Sequence, residues 1–168
     1  MGADIVNEEY LTVHTHVVYK NVDSAGKYLS RCLNLMRKEG QLWGNQCPAC
    51  RRKFLPPMIT CGYCKIKIED IPENWLRFAD EGTVLSFFIP ETKSRDRSTG
   101  QLAGTGLPMA YIRPGNGDEY TILAHVLQNV EPKKIYKGMK VRAVWKPREE
   151  RRARMSDIRY YVPVEDRS

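Results

Sequence analysis

The sequence has little of what marks a secreted or a membrane-spanning protein. Its 168 residues include only five cysteines, an odd number that does not suit a framework of disulfides. Acidic residues and histidines interrupt the first twenty positions, which therefore contain no apolar stretch of the kind found in secretory signals. No run of about 18 apolar residues follows anywhere in the chain. We therefore expect a cytoplasmic protein without disulfide bonds.

The chain also has few residues suited to nucleophilic catalysis, which needs an activated nucleophile beside a positioned base. Only Cys32 lies outside two close cysteine pairs, and the apolar spacing around it predicts packing in a core. His125 lies within an apolar strand pattern, where a hydrogen-bonded core histidine is expected. His14 and His16 lie on one face of a predicted strand, which favours a solvated or partner-facing pair. We expect no catalytic residues and no activity from this chain alone.

The two cysteine pairs carry the clearest signal in the sequence. Each is a C-x-x-C turn, and ten residues separate the turns, whose cysteines are Cys47, Cys50, Cys61 and Cys64. Two residues between thiolates let one tight turn present both sulfurs to an ion, and two such turns complete a tetrahedral shell. A closed, all-thiolate shell favours Zn²⁺, although iron fits the same geometry. The spacing predicts a zinc ribbon with one structural Zn²⁺ and no open coordination position.

An amphipathic helix is predicted just before the ribbon, over residues 25–39. Asp23 and Ser24 suit a helix N-cap, and Gly40 suits the end of the helix. Apolar residues recur between them at three- and four-residue spacing. This face is expected either to pack on the rest of the chain or, as we favour, to contact another protein. The candidate partner surface consists of Leu29, Leu33 and Met36.

From residue 71 the pattern changes to short β-rich segments separated by turns. Five strands at this spacing favour a small closed barrel of the OB type. A polar, glycine-rich stretch at 91–106 is predicted to be a mobile loop. The fold class is therefore mainly β, with an arm and helix at 1–45, a zinc ribbon at 46–70, and a barrel with a basic C-terminal tail at 71–168. The five predicted strands are 82–89, 107–113, 119–127, 138–146 and 158–164.

The net charge of +7, from 27 basic and 20 acidic residues, indicates an anionic partner. A solvated surface that maintains solubility is the alternative explanation. In the basic segment at 148–159, Glu149 and Glu150 are expected to neutralise two of the arginines. The candidate anion-binding residues are Arg51, Arg52, Lys53, Lys93, Arg95 and Arg97.

These features in combination resemble one family. An amphipathic helix, a C-x-x-C turn, a basic-aromatic segment ending in Pro56-Pro57, a second C-x-x-C turn, a segment around Trp75 and the strand GTVLSF follow in order. This order is similar to that of the rubredoxin-like zinc ribbon plus OB-fold proteins that accompany thiolase-fold enzymes of acyl-CoA metabolism. The resemblance continues through GLPMAYIR, TILAHVLQNVEP and KGMKVRAVW, and covers roughly residues 28–147. The long first arm, residues 1–24, and the Arg-rich segment depart from the pattern.

This resemblance implies a non-catalytic subunit that bridges or gates the active site of a thiolase-fold partner. The partner would supply the catalytic cysteine, and the phosphates of coenzyme A would be met either by Arg51, Arg52 and Lys53 or by the cations of the 93–97 loop. Such proteins serve acetoacetyl-CoA supply, steroid side-chain aldolase complexes and anaerobic toluene degradation. In that last pathway, small subunits of benzoylsuccinyl-CoA thiolases are similar in size and layout.

A module that binds single-stranded nucleic acid is the alternative, because zinc ribbons and OB barrels also occur in such proteins. Binding of this kind needs exposed aromatic rings interleaved with cations. Phe87 and Phe88 are adjacent in a predicted strand, so one of the two is expected to face the interior.

Overall fold

The computed structural model describes residues 24–90 and 106–164 in full. Outside these ranges it describes the backbone of four short strands, which pair as two antiparallel hairpins. These strands are Ala3–Asn7 with Tyr10–Val13 and Ser94–Arg95 with Leu102–Ala103. His14 and His16, and with them the prediction for this pair, lie outside the described residues.

The helix α1 spans Gly26–Glu39. Its start is supported by the Ser24 hydroxyl, whose oxygen accepts the Gly26 N–H at 3.1 Å. Its end is set by Gly40, which has a φ of 67° and donates its N–H to the Met36 carbonyl at 2.8 Å. A left-handed residue at this position is a common helix stop, and glycine adopts it without a steric penalty. The predicted helix end at Gly40 is therefore confirmed.

A three-stranded antiparallel sheet follows α1 and carries the cysteine turns. Its strands are β1 (Trp43–Gln46), β2 (Lys53–Phe54) and β3 (Trp75–Arg77), with β1 in the centre. Gly44 is required in β1, because a Cβ there would lie 2.2 Å from the Phe54 carbonyl oxygen. Since β3 lies beyond the predicted boundary at residue 70, we refer to residues 43–77 together as the cysteine region.

A five-stranded antiparallel sheet is the largest sheet among the described residues. The strands lie in the order β6-β5-β4-β7-β8, and all five predicted strands are present within a few residues of their predicted bounds. The backbone just after β6 meets β8 through a parallel bridge between Leu127 and Tyr161, where the Gln128 N–H also donates to the Tyr161 carbonyl at 2.9 Å. The strands are β4 (Glu81–Phe88), β5 (Met109–Pro114), β6 (Leu123–Val126), β7 (Lys140–Trp145) and β8 (Ile158–Pro163).

The main core contains residues of α1, of the five-stranded sheet and of the cysteine region. Alternate residues of the strands point into it, as Val84, Ile112 and Val141 do, because successive side chains of a strand face opposite sides. Tyr28, Cys32 and Met36 of α1 belong to the same buried cluster. The buried face of α1 therefore packs on its own chain. The helix α1 has 14 residues, too few to span a bilayer. None of the helices in the described ranges is long and apolar enough to cross a membrane.

The last residues of β4 extend past this core. Phe87 and Phe88 are both exposed, at 37% and 47%, although the alternation of side chains predicted that one would face inward. Alternation buries a side chain only where other residues cover the face of the sheet to which that side chain points. The prediction is therefore wrong at this end of β4. Phe88 instead lies beside the exposed ring of Tyr111 on β5, with the ring centroids 6.3 Å apart.

The Arg-rich segment is a loop between β7 and β8, and the prediction of a basic tail is corrected accordingly. Short 3₁₀ turns at Arg148–Glu150 and Met155–Asp157 shape the loop. Buried Asp157 holds it, because its carboxylate oxygens accept the N–H groups of Arg152 at 2.9 Å and Arg154 at 3.2 Å. The arginines are thus displayed by a loop with internal hydrogen bonds, between two strands of the sheet.

Candidate metal centre

The two C-x-x-C turns have the same backbone hydrogen bonds. In the first, the Cys47 N–H donates to the Arg52 carbonyl at 2.9 Å, and the Cys47 carbonyl accepts the Arg51 N–H at 3.0 Å. In the second, the Cys61 N–H donates to the Ile66 carbonyl at 2.9 Å, and the Cys61 carbonyl accepts from Lys65 at 2.9 Å. The repetition brings two equivalent sulfur pairs to face each other.

Each turn ends on a residue with left-handed backbone conformation. Arg51 has a φ of 62° and Lys65 a φ of 58°, although neither is glycine. Such a conformation costs roughly 1–2 kcal/mol for a residue with a Cβ. The residue types alone did not indicate this, because glycine is the usual sign of such a position. The strain persists where other interactions of the turn compensate for it, and four ligands to one ion would do so.

The four cysteine sulfurs lie within 4.8 Å of one another. The sulfurs of Cys50 and Cys61 are 3.7 Å apart. Metal–sulfur bonds of about 2.3 Å in a tetrahedral shell require sulfur–sulfur distances of about 3.8 Å, so this spacing fits a Zn²⁺-sized ion. Cys47 and Cys61 are buried, while Cys50 and Cys64 are partly exposed. The predicted cysteines are therefore positioned to bind one metal ion.

The electrostatics of the cluster also suit a cation. The backbone N–H of Arg52, together with its guanidinium, lowers the pKa of the Cys50 thiol to about 6. The hydrogen bond between Cys64 and Cys50 raises the pKa of Cys64 to about 12. One thiolate thus forms readily, while further negative charge beside it is disfavoured. Four thiolates would be stable together only around a cation, and binding of that cation would release protons.

Very little apolar packing surrounds the centre. Among the described residues, its buried cluster contains Phe54 and Ile68 besides the two buried cysteines, and partly buried Ile66 packs against them. A buried amide supplements them: Asn45 donates to the Met58 carbonyl at 2.7 Å and accepts the Met58 N–H at 3.0 Å. The side chain of Asn45 therefore acts as a strand partner for the segment between the two turns, a role that its residue type did not reveal.

The centre is attached to α1 through Asp70. This carboxylate accepts from Lys27 at 2.9 Å, from Arg31, and from the Trp75 indole N–H at 2.9 Å. Lys27 and the other donors hold the pKa of Asp70 below its usual value. Tyr28 adds a hydrogen bond from its hydroxyl to the Ile68 carbonyl. Asp70 was not singled out from the sequence, since nothing in the local pattern shows that three donors converge on it.

Two of the predicted anion-binding residues join the cysteine region to the five-stranded sheet. The Arg52 guanidinium stacks on Tyr63 at 3.9 Å and lies 5.3 Å from the centre of the Tyr120 ring. The Lys53 ammonium donates to the Asn116 carbonyl, and the Lys53 backbone N–H donates to Asp118 at 2.8 Å. Both cations thus have partners within the chain.

Of the other four predicted anion-binding residues, one is exposed and three have side chains that lie outside the described residues. Arg51 is exposed next to the metal centre. Lys93 and Arg97 lie outside the described residues, and only the backbone of Arg95 is described. The structure therefore describes the side chains of only three of the six predicted cations, Arg51, Arg52 and Lys53.

The predicted partner surface on α1 is divided. Met36 is fully buried in the core of this chain, which corrects its assignment to an interface, because a residue without exposed surface cannot contact another protein. Leu29 and Leu33 are half-buried. Cys32 is 1% exposed, donates to the Trp43 carbonyl at 3.0 Å, and has a pKa raised to about 12 by burial. These values fit the predicted core role of Cys32 rather than a nucleophile.

Comparison with known proteins gives a likeness of fold. No protein-family model matches the chain, and no curated protein matches it significantly. A solved structure named Ltp2-ChsH2(DUF35) aldolase contains a chain that superposes with a TM-score of 0.54 at 19% identity, covering 85% of this chain and 96% of that one. A DUF35-family protein of unknown function from Sulfolobus solfataricus superposes with a TM-score of 0.49 at 23% identity, covering 68% and 75%. The chain therefore shares the fold of the first, over almost the whole of that chain.

Proposed function

We propose that this chain is a non-catalytic, zinc-binding accessory subunit of a heteromeric thiolase-fold enzyme that acts on acyl-CoA. The observation that carries the proposal is the fold likeness to the chain in the Ltp2-ChsH2(DUF35) aldolase. The order of motifs in the sequence leads independently to assemblies of the same kind, aldolase complexes among them. In this role the chain bridges or gates the active site of its partner.

The chemistry of the described residues supports an accessory role. A shell of four thiolates leaves a Zn²⁺ ion no open position for substrate, which makes the site structural. Cys32 is buried with its thiol protonated at neutral pH. The His125 ring lies against Tyr161, and its Nδ1 accepts the Val126 N–H at 3.0 Å, so this nitrogen is not free to act as a base. The catalytic groups would therefore come from the partner.

We also propose that the five-stranded sheet closes into a barrel of the OB type. The strand order places β6 and β8 at opposite edges, and a barrel forms when those edges meet. The parallel bridge between Leu127 and Tyr161 supports this closure.

The proposed partner surface centres on the half-buried leucines of α1. Leu29 borders an apolar cavity of about 310 Å³ whose walls include Leu55, Pro56 and Ile122. Ile122 is 41% exposed, so the apolar area continues onto the surface. Interfaces of permanent complexes are more apolar than the rest of a protein surface, and this area fits that description. Coenzyme A or an acyl-CoA would then lie at the interface with the partner.

Within this class, our most specific proposal is the small subunit of a benzoylsuccinyl-CoA thiolase in anaerobic toluene degradation. It is supported by similar size and layout. The four free thiols of the candidate metal centre suit the reducing cytoplasm, where we place the protein.

The test is reconstitution with a thiolase-fold protein encoded beside this chain in its native genome. The chain alone is expected to show no thiolytic activity, while the co-purified complex cleaves benzoylsuccinyl-CoA or a related acyl-CoA. Leu29→Glu with Leu33→Glu should separate the subunits and leave the zinc content unchanged. Tyr136→Glu is the control, because Tyr136 is 58% exposed and lies in the connection before β7, outside α1. Association that survives the double substitution would remove α1 from the interface, and activity of the isolated chain would overturn the proposal.

Binding of single-stranded nucleic acid is a second candidate, favoured by exposed aromatic rings at the end of β4 and within β5. Phe88 and Tyr111 offer neighbouring ring faces on which bases could stack. If this candidate is correct, an oligonucleotide binds at about 150 mM salt, and Phe88→Ala with Tyr111→Ala weakens it. The control substitution Tyr136→Ala should not weaken oligonucleotide binding. Absence of binding at that salt concentration would exclude this candidate.

A further inference from the structure

A basic groove lies between the C-terminal half of α1 and the loop after β7. Its volume is about 470 Å³, within the range of sites for small ligands. Five of its seven lining residues are cations and one is an acid. The lining residues are Asn34, Arg37, Lys38, Arg148, Glu149, Arg151 and Arg152.

The cations of the groove lack carboxylate partners within the described parts of the chain. The ion pairs found there involve other basic residues, namely Lys27, Arg31, Lys67, Arg77 and Lys134. The expectation that Glu149 and Glu150 neutralise neighbouring arginines is therefore not met. Glu149 instead accepts from the Arg152 guanidinium through its backbone carbonyl, at 3.2 Å. A positive field thus remains at the groove.

The two walls of the groove are held together by Arg151. Its Nε donates to the Lys146 carbonyl at 2.8 Å, and its Nη1 reaches the Arg37 carbonyl at 3.4 Å near the end of α1. Gly40 leaves the space for this contact, because a Cβ there would lie 2.5 Å from Arg151 Nη2. Together with the hydrogen bonds to buried Asp157, these contacts fix the loop against the helix. Arg37, Arg148 and Arg152 are therefore displayed around the groove by a framework that is already formed.

We propose that this groove binds the diphosphate of a nucleotide-sized ligand. Planar guanidinium groups donate pairs of hydrogen bonds to phosphate oxygens, and such charge-assisted bonds are among the stronger ones. A concave site with several free cations suits two linked phosphates better than a single carboxylate. The inference depends on the geometry of this chain alone and does not require the partner proposed above.

The test is calorimetric titration of the zinc-loaded full chain with pyrophosphate, ADP, AMP and inorganic phosphate. Pyrophosphate and ADP are expected to bind one per chain with a Kd below about 1 mM, and AMP about tenfold more weakly. Arg148→Ala with Arg152→Ala should weaken ADP binding by about tenfold or more, since each removes a charge-assisted donor. The matched control is Arg142→Ala with Arg159→Ala, which removes two exposed arginines outside the groove and should leave the Kd unchanged.

Absence of saturable ADP and pyrophosphate binding would overturn the proposal, as would equal weakening by the two double variants. Single-stranded DNA that binds while ADP does not would assign the cations to a polynucleotide instead. Coenzyme A carries the same diphosphate, so its competition with ADP would support the proposal. Binding of ADP without such competition would also support a nucleotide site, and it would separate this groove from the acyl-CoA role proposed for the complex.

Discussion

The cysteine region and the five-stranded sheet are stabilised in different ways within one chain. Around the two cysteine turns, two of the four buried cluster residues are themselves candidate metal ligands, Cys47 and Cys61, whereas Leu55 and Trp75 of the cysteine region belong to the main core. The sheet, in contrast, shares a continuous apolar core with α1. A segment with so little apolar surface to bury cannot offset the entropy of ordering its backbone without another source of free energy. We therefore expect that a metal ion stabilises the segment around the cysteine turns, whereas hydrophobic burial stabilises the sheet.

The two regions are nevertheless attached by polar contacts. The Thr121 hydroxyl donates to the Lys53 carbonyl at 3.2 Å, and Asp118 accepts the Lys53 N–H. Leu55 and Thr121 form a parallel bridge next to these bonds. The cysteine region is therefore held in one orientation on the sheet even though its own stability has a separate origin.

The largest expected effect comes from removing a metal ligand. Cys47→Ser or Cys61→Ser should lose most of the bound zinc and the hydrogen-exchange protection of residues 43–77, while the sheet keeps its protection. Structural Zn²⁺ contributes about 10–16 kcal/mol of apparent binding free energy in small zinc-binding peptides, more than this region could replace by packing. Metal analysis and hydrogen exchange measure the two effects.

The matched control for the metal-ligand substitutions is Cys32→Ala, which removes a cysteine from the apolar core and not from the candidate metal centre. This variant should retain one equivalent of zinc per chain. A Cys47→Ser protein with full metal content and unchanged protection at 43–77 would contradict the comparison.

The next effect is expected in the core of the sheet. Ile112 on β5 is fully buried, so Ile112→Ala should lower the free energy of unfolding by about 2–5 kcal/mol through lost burial and a cavity. The zinc content of the folded protein should not change. Urea denaturation is the measurement, and Ile71→Ala is the control, because Ile71 is 47% exposed and should change stability by less than about 0.5 kcal/mol. Equal effects of the two variants would count against a dominant apolar core.

A smaller effect is expected from the buried amide beside the metal centre. Asn45→Ala removes two hydrogen bonds to Met58 and should destabilise the cysteine region by about 1–3 kcal/mol. Faster zinc release to a chelator would report this loss, without a change in protection of the sheet. Gln46→Ala is the neighbouring control, since Gln46 makes only an exposed hydrogen bond to the Arg51 carbonyl. Equal rates of zinc release in the two variants would show that Asn45 does not hold the segment between the turns.

The smallest expected effect is the part of the pH dependence of stability that comes from His125 in the sheet. Burial lowers the pKa of His125 below the value of about 6.5 found in unfolded chains. The unfolded state therefore binds a proton more readily, and stability should fall as the pH decreases below about 6.5. The measurement is urea denaturation between about pH 8 and pH 5.5, where His125→Gln should remove part of the slope. Identical slopes for the two proteins would show that His125 does not contribute.

Much of the architecture could be predicted because it depends on local patterns. The presence and approximate positions of the five strands follow from alternation and turn residues, and the end of α1 at Gly40 follows from the need for a left-handed residue there. The cysteine turns were predictable because two-residue spacing limits what the thiolates can bind. The roles of individual surface residues were harder to predict from the sequence. The exposure of both Phe87 and Phe88 depends on how far the core extends beneath β4, which no short pattern states.

The sequence by itself determined the elements and the ligand set, since backbone propensity, side-chain alternation and thiolate spacing act over a few residues. Only the tertiary structure decided which surfaces remain free, because that depends on contacts between distant segments. It placed Met36 in the core of its own chain and occupied Arg52 and Lys53 at the junction with residues 116–120. It also brought Arg37 of the helix beside Arg148 and Arg152, more than a hundred positions away. Which cations have a hydrogen-bonding or stacking partner depends on the tertiary fold, because the partner groups belong to segments that are distant in the sequence.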